Sequence, residues 1–215
     1  MSNPHDLPVV SENVTPDALA AADWLHAVGQ PRGYIRIASI GPAGTSAHDV
    51  LNELQRQYSD DNTFLDVELS SSFEEAAEQV LKGIADFALV PSAYRDAAAF
   101  HWHPSLELAY VFVHRTPYYG LATNQDAAMS TSRAIVVAAM GEVEDLFFQL
   151  APANLSERRI EHLKASSTSN AAAIVRAGIA DVAVCNDLGR QEHGLSWIGS
   201  REGVDMVWMF FKRRP

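Results

Sequence analysis

Cysteine is nearly missing from this 215-residue chain, in which Cys185 stands alone. One thiol excludes an intramolecular disulfide and any zinc cluster built on cysteines. Basic residues are also scarce: 16 Lys+Arg face 27 Asp+Glu, a formal charge of -11. That balance argues against nucleic acid, whose partners carry a basic patch. It does not exclude a small anionic substrate, because a pocket can be locally positive on an acidic protein. No apolar run approaches the ~20 residues of a membrane-spanning helix. Residues 1–13 lack the basic-then-apolar pattern of a secretory signal, so the expected compartment is the cytoplasm. G-x-S-x-G, P-loop and G-x-G-x-x-G motifs are missing too, which removes the mechanisms they carry. His101 and His103 have no Cys or carboxylate at a metal-site spacing, so no metal is expected.

What is present describes a globular α/β protein, 47% hydrophobic and 20% charged. Thr15-Pro16-Asp17 opens a helix that stops at Gly29, with Thr as N-cap and Pro at the first position. Residues 1–33 read as a flexible leader with this appended helix. The core begins with a β-branched strand, Tyr34–Ile40, which runs into Gly41-Pro42-Ala43-Gly44-Thr45-Ser46 and a helix through Leu51, Leu54 and Tyr58. Strands near 64–69, 86–90, 134–138, 159–163 and 206–211 alternate with helices at 73–82 and 143–150, so mostly parallel sheets are expected.

An internal repeat is the most informative feature. SSFEEAAEQVLKGIADFA at 71–88 matches SSTSNAAAIVRAGIADVA at 166–183, at a constant offset of 95 residues. The shared Gly83/Gly178 fits a helix C-terminus, where positive φ is wanted. The shared Asp86/Asp181 fits the turn into the next strand. Two copies at long spacing predict two similar lobes, not a solenoid. The expected division is 34–118 plus 199–215 for the first lobe and 119–198 for the second, with a ligand cleft between them.

Two loops suit an anion. Thr45 and Ser46 precede one helix, and Ser167, Thr168 and Ser169 precede the helix of the second repeat copy. Hydroxyls and free N–H groups at a helix N-terminus favour a carboxylate. Both loops also read as ordinary N-caps; facing each other they would form a dicarboxylate clamp. Arg95 follows a strand end, the ligand edge of an open sheet, and its planar fork suits a carboxylate. Glu142, Glu144 and Asp145 read as acids at a helix start.

Ile40-Gly41-Pro42-Ala43-Gly44-Thr45-Ser46 resembles the G-P-x-G-T-[FY]-S opening of prephenate dehydratase catalytic domains. Gly83…Asp86…Val90-Pro91 and Ser167-Thr168-Ser169 resemble that family's next blocks, in the same order. The likeness spans about residues 34–213 and implies a two-lobed fold of the type II periplasmic-binding-protein kind. Three departures stand out. Dehydratases read I-E-N-S after Val-Pro, where this chain has Ser92-Ala93-Tyr94-Arg95. They carry T-R-F, whose Thr is taken to help expel the ring hydroxyl, where this chain has Met206-Val207-Trp208. Their His-Pro block is Ala139-Met140 here. Leu89-Val90-Pro91-Ser92-Ala93-Tyr94 and Thr116-Pro117-Tyr118-Tyr119-Gly120-Leu121-Ala122 look instead like the non-aromatizing prephenate decarboxylases of bacilysin-type antibiotic biosynthesis.

This resemblance implies a carboxy-lyase that releases CO2, keeps the 4-hydroxyl and yields a dihydro-4-hydroxyphenylpyruvate. Prephenate, a dicarboxylate, is the implied partner, and a homodimer is compatible with these features. No cofactor is called for, because the substrate diene is its own electron sink. Tyr94 and Arg95 are the expected catalytic residues. Thr45, Ser46, Ser167, Thr168, Ser169, Met206 and Trp208 are expected to bind substrate. The proton donor stays open among Arg95, Tyr94, His114 and water. Two alternatives also stay open: a dehydratase-like enzyme, and a non-catalytic small-anion binding module on the same fold.

Overall fold

The computed structural model describes residues 16–29, 33–59, 64–124 and 134–215. The N-cap expected at Thr15 and the leader lie outside the described residues. The chain runs α1 (Pro16–Gly29), β1 (Tyr34–Ile40), α2 (Ser46–Tyr58), β2 (Phe64–Ser70), α3 (Phe73–Leu81), β3 (Phe87–Pro91), α4 (Ala97–Trp102) and β4 (Leu106–Arg115) through one lobe. It then builds a second from β5 (Tyr119–Thr123), β6 (Ile135–Ala139), α5 (Leu146–Leu150), α6 (Ala153–Ser156), β7 (Ile160–Lys164), α7 (Thr168–Arg176), β8 (Val182–Asn186), α8 (Asp187–Glu192) and β9 (Ser196–Arg201). The last strand, β10 (Asp205–Arg213), returns to the first lobe.

The two sheets have one plan. Their orders are β2-β1-β3-β10-β4 and β7-β6-β8-β5-β9. In each, three neighbouring strands are parallel, and the fourth is antiparallel to both of its neighbours. That reversed strand, β10 or β5, is the one arriving from the other lobe. It enters at the cleft edge, where the parallel strands end, so it must run against them. β9 pairs with β5 as far as Arg201, so residues 199–201 belong to the second sheet, not to the first lobe as the sequence suggested.

The repeat identities are explained by hydrogen bonds. Gly83 (φ +73°) donates to the Val80 carbonyl and Ile84 to that of Gln79, closing α3 in a Schellman motif. Gly178 (φ +74°) and Ile179 close α7 on Val175 and Ile174 in the same way. Asp86 then clasps β1: its N–H donates to the Arg36 carbonyl and its carboxylate accepts from the Arg36 N–H, at 2.8 and 2.9 Å. Asp181 repeats the clasp on Val136, at 2.9 and 2.9 Å.

The first-lobe core is aromatic, with Phe87, Phe112, Trp208, Phe210 and Phe211 buried on and around β10. α1 seals one face of it. Its Ala21 and Leu25 are buried, and Trp24 stacks on Tyr110 with centroids 4.8 Å apart. α2 buries Val50, Leu51, Leu54 and Tyr58, one face of a 3.6-residue period. No helix among the described residues is long and apolar enough to cross a membrane.

Two strands of chain join the lobes side by side. Thr116 donates its N–H to Val204 O at 2.9 Å, and the Val204 N–H donates to Thr116 Oγ1 at 3.0 Å. A Cβ on Gly203 would stand 1.8 Å from the Thr116 carbonyl oxygen. Backbone there has little room to yield, so Gly203→Ala is expected to cost about 2 kcal/mol or more. For a chain of this size that lowers Tm by roughly 4–8 °C. An unchanged thermal melt would show that the crossover is not tightly packed.

Candidate active site

The ends of β1, β3 and β6 converge with the α7 N-terminus on a cavity of about 270 Å³ between the lobes. This is the carboxyl edge of the parallel strands, where open α/β sheets hold ligands. Most of the wall is apolar, with Phe73, Met140, Val143, Leu146, Met206 and Trp208. Met206 and Trp208 share a face of β10 by the period of two. Val207 therefore points away from the cavity and is 39% exposed. The indole Nε1–H of Trp208 donates to the His114 carbonyl at 3.4 Å.

Thr45, Ser46, Ser167 and Thr168 line this cavity, but most of their hydroxyls are already engaged. Thr45 caps α2, accepting from the His48 N–H at 3.2 Å, and Ser167 caps α7, accepting from the Asn170 N–H at 3.0 Å. Ser46 Oγ lies 2.7 Å from the Tyr119 hydroxyl and accepts from Asn186 Nδ2 at 3.3 Å. Ser169 is a correction. It does not line the cavity, and its hydroxyl donates to the Ala43 carbonyl at 3.1 Å, stapling the two loops together. Thr168 differs from all of these: it is only 6% exposed and, among the described residues, its hydroxyl has no hydrogen-bond partner. It stands in the first turn of α7, whose leading N–H groups also have no intrahelical acceptor.

The two expected catalytic residues fall differently. The Tyr94 ring lines the cavity, but its hydroxyl donates to Glu74 Oε1 at 2.6 Å. Burial and that bond push the Tyr94 phenol above its usual range. Burial tends to raise Glu74, yet the Tyr94 hydrogen bond holds it below the ordinary carboxylate range. The stability this pair contributes is present above the unfolded carboxylate pKa and is lost as pH falls through the lowered one. Tyr94 thus braces α3 against the β3–α4 loop. Tyr94→Phe is expected to keep kcat within about threefold, whereas losing a general acid costs about 10²–10⁴-fold. A kcat loss of that size would restore its catalytic role. Arg95 does not line the apolar cavity at all; it lies in a second, adjoining one. His114 lines neither, and burial pushes its imidazole down, against the pull of Asp49.

Several residues in and behind the cavity wall escaped sequence reasoning. Asn186, fully buried at the end of β8, donates to the Gly44 carbonyl at 3.0 Å and so holds the β1–α2 loop from the opposite lobe. Tyr119 and Thr116 come from the crossover, and burial pushes the Tyr119 phenol up. Arg201 and Glu202 line the cavity from the other crossover, with Glu202 paired to Arg115 at 2.8 Å. Glu142 was expected to favour a helix start, but residues 141–145 form turns and α5 begins at Leu146. Released from that role, Glu142 lines both cavities. The only sequence signal for these residues was the stretch from Thr116 to Ala122.

No family model matches the chain. A prephenate decarboxylase of Planktothrix agardhii is 31% identical over 178 residues, covering 83% of this chain and 88% of that protein. This chain belongs to the prephenate decarboxylase family. A second relative of that name, from Bacillus subtilis, is 27% identical over 82% of this chain and 86% of its own length. Among solved structures, prephenate dehydratase from Arthrobacter aurescens, in complex with L-Phe, superposes with a TM-score of 0.57 at 17% identity. The match covers 84% of this chain and 61% of that one. A periplasmic VFT2 domain of Bordetella pertussis BvgS gives 0.52 at 14% identity, over 91% and 86% of the two chains. These likenesses fix the fold: two α/β lobes of the dehydratase and periplasmic-binding kind.

Proposed function

We propose that this prephenate decarboxylase family member removes CO2 from prephenate and leaves the 4-hydroxyl on the ring. Family membership supports the substrate. The carrying observation for the outcome is the wall made by Met206 and Trp208. Where the resemblance puts the dehydratase Thr, this cavity presents a thioether, and the one donor of Trp208 is spent on the His114 carbonyl. Nothing on that wall can hand a proton to a departing hydroxyl.

Electrons released by the breaking C–CO2 bond move into the ring diene. Expelling the hydroxide would aromatize the ring; protonating a ring carbon instead keeps the hydroxyl. An apolar wall favours CO2 loss, because a carboxylate held there is stripped of water that its neutral product does not need. The α7 N-terminus and the free Thr168 hydroxyl are suited to holding a carboxylate. The product is a dihydro-4-hydroxyphenylpyruvate, suited to natural-product biosynthesis of the bacilysin type. We place this chemistry in the cytoplasm, where a free thiol such as buried Cys185 stays reduced. Incubation of the purified chain with prephenate tests the reading: substrate is consumed and CO2 released with a non-aromatic product. Binding without turnover would leave only an anion-binding module.

A further inference from the structure

A second cavity, of about 290 Å³, adjoins the apolar one and shares Ile40, Phe73, Tyr94, Met140 and Glu142 with it. Neither reaches the roughly 300–1,000 Å³ usual for a small-molecule site, but joined they do. The second cavity is lined by Arg95 from the first lobe and Lys164 from the second. Neither cation is in an ion pair or hydrogen bond among the described residues. The Arg95 guanidinium crosses the cleft: a Cβ on Gly141 would lie 2.8 Å from its Nη2.

The repeat shows which helix end is open to an anion. In the first copy, Glu75 fills its own helix start, with Oε2 accepting from both the N–H (2.7 Å) and the hydroxyl (2.5 Å) of Ser71. The equivalent residue of the second copy is Asn170, which caps the Ser166 N–H at 3.2 Å without a charge. The first turn of α3 carries Glu74 and Glu75, and that of α7 carries no acid. The α7 dipole is thus uncompensated. Ser166 places this end at the second cavity, and Ser167 and Thr168 place it at the first.

We propose that the second cavity is the subsite for an α-keto carboxylate tail, bound by Arg95, Lys164 and the α7 N-terminus. Resting on the prephenate reading, this assigns the retained pyruvyl carboxylate to the charged cavity and the departing ring carboxylate to the apolar one. The cations then hold the tail so that the ring carboxylate, whose bonding electrons the diene can accept, sits against the apolar wall. Asp96 and Glu142 also line the second cavity, so an α-amino acid, whose ammonium they could meet, is the competing ligand class.

The probe is phenylpyruvate, which keeps the tail and lacks the ring carboxylate. Its Kd is measured by calorimetry on the whole chain and compared with that of L-phenylalanine. Phenylpyruvate is expected to bind more tightly, and Arg95→Gln and Lys164→Gln each to weaken it about fivefold or more. Both side chains are exposed, so the fold should survive either change. KM for prephenate rises with Kd while kcat holds, because the tail is bound equally in ground and transition states. An unchanged Kd in both variants, or L-phenylalanine binding as tightly as phenylpyruvate, overturns the subsite. Tail binding that depends on both cations without prephenate turnover would sustain the subsite and remove the decarboxylase reading.

Discussion

Thr168→Val is expected to lower kcat/KM for prephenate roughly 10- to 150-fold, the range that a lost hydrogen bond to a charged group of about 1.5–3 kcal/mol implies. The melting temperature should hardly move. Thr168 is buried, yet its hydroxyl serves nothing within the described fold, so an isosteric methyl breaks no internal bond. Ser169→Ala is the contrasting variant. It removes the hydrogen bond to Ala43, at a cost of about 1 kcal/mol and roughly 2–4 °C of Tm, while leaving the cavity lining untouched. Its kinetic loss should therefore be the smaller. Retention of kcat/KM within twofold in Thr168→Val would show that the hydroxyl meets no substrate, and the carboxylate would have to be held elsewhere.

Product choice carries the second large effect. Wild-type protein incubated with prephenate is expected to give no phenylpyruvate above the spontaneous background, as followed by chromatography and ultraviolet spectra. Met206→Thr brings a hydroxyl into the apolar cavity on the face of β10 that Trp208 shares. General acids contribute about 10²–10⁴-fold, so even a poorly placed donor should raise phenylpyruvate formation about tenfold or more. Val207→Arg should add nothing by itself, because the strand turns that side chain out of the cavity. Phenylpyruvate made enzymatically by the wild type would overturn the argument from Met206 and Trp208 and identify a dehydratase.

These two experiments separate what was local in the sequence from what was not. Residue type and spacing are local, and they determined a good deal here. The repeat at 71–88 and 166–183 determined two lobes with matching helix ends and strand clasps, because Gly83, Gly178, Asp86 and Asp181 each act within one lobe on a neighbouring turn or strand. The blocks around Gly41–Ser46 and Ser167–Ser169, with the departures at Met206–Trp208, determined the family. Partnership is not local. Five hydroxyls of the two loops looked equivalent, yet Ser169 meets Ala43 across 126 residues and Ser46 meets Asn186 across 140. Thr168 alone of the five has no hydroxyl partner among the described residues. Arg95 and Lys164 reach one cavity from different lobes, and the turns before α5 put Glu142 there as well. Whether a side chain is left free for a ligand depended on which partners the fold had already supplied to it, and several of those partners stand on chain segments that only tertiary packing brings together.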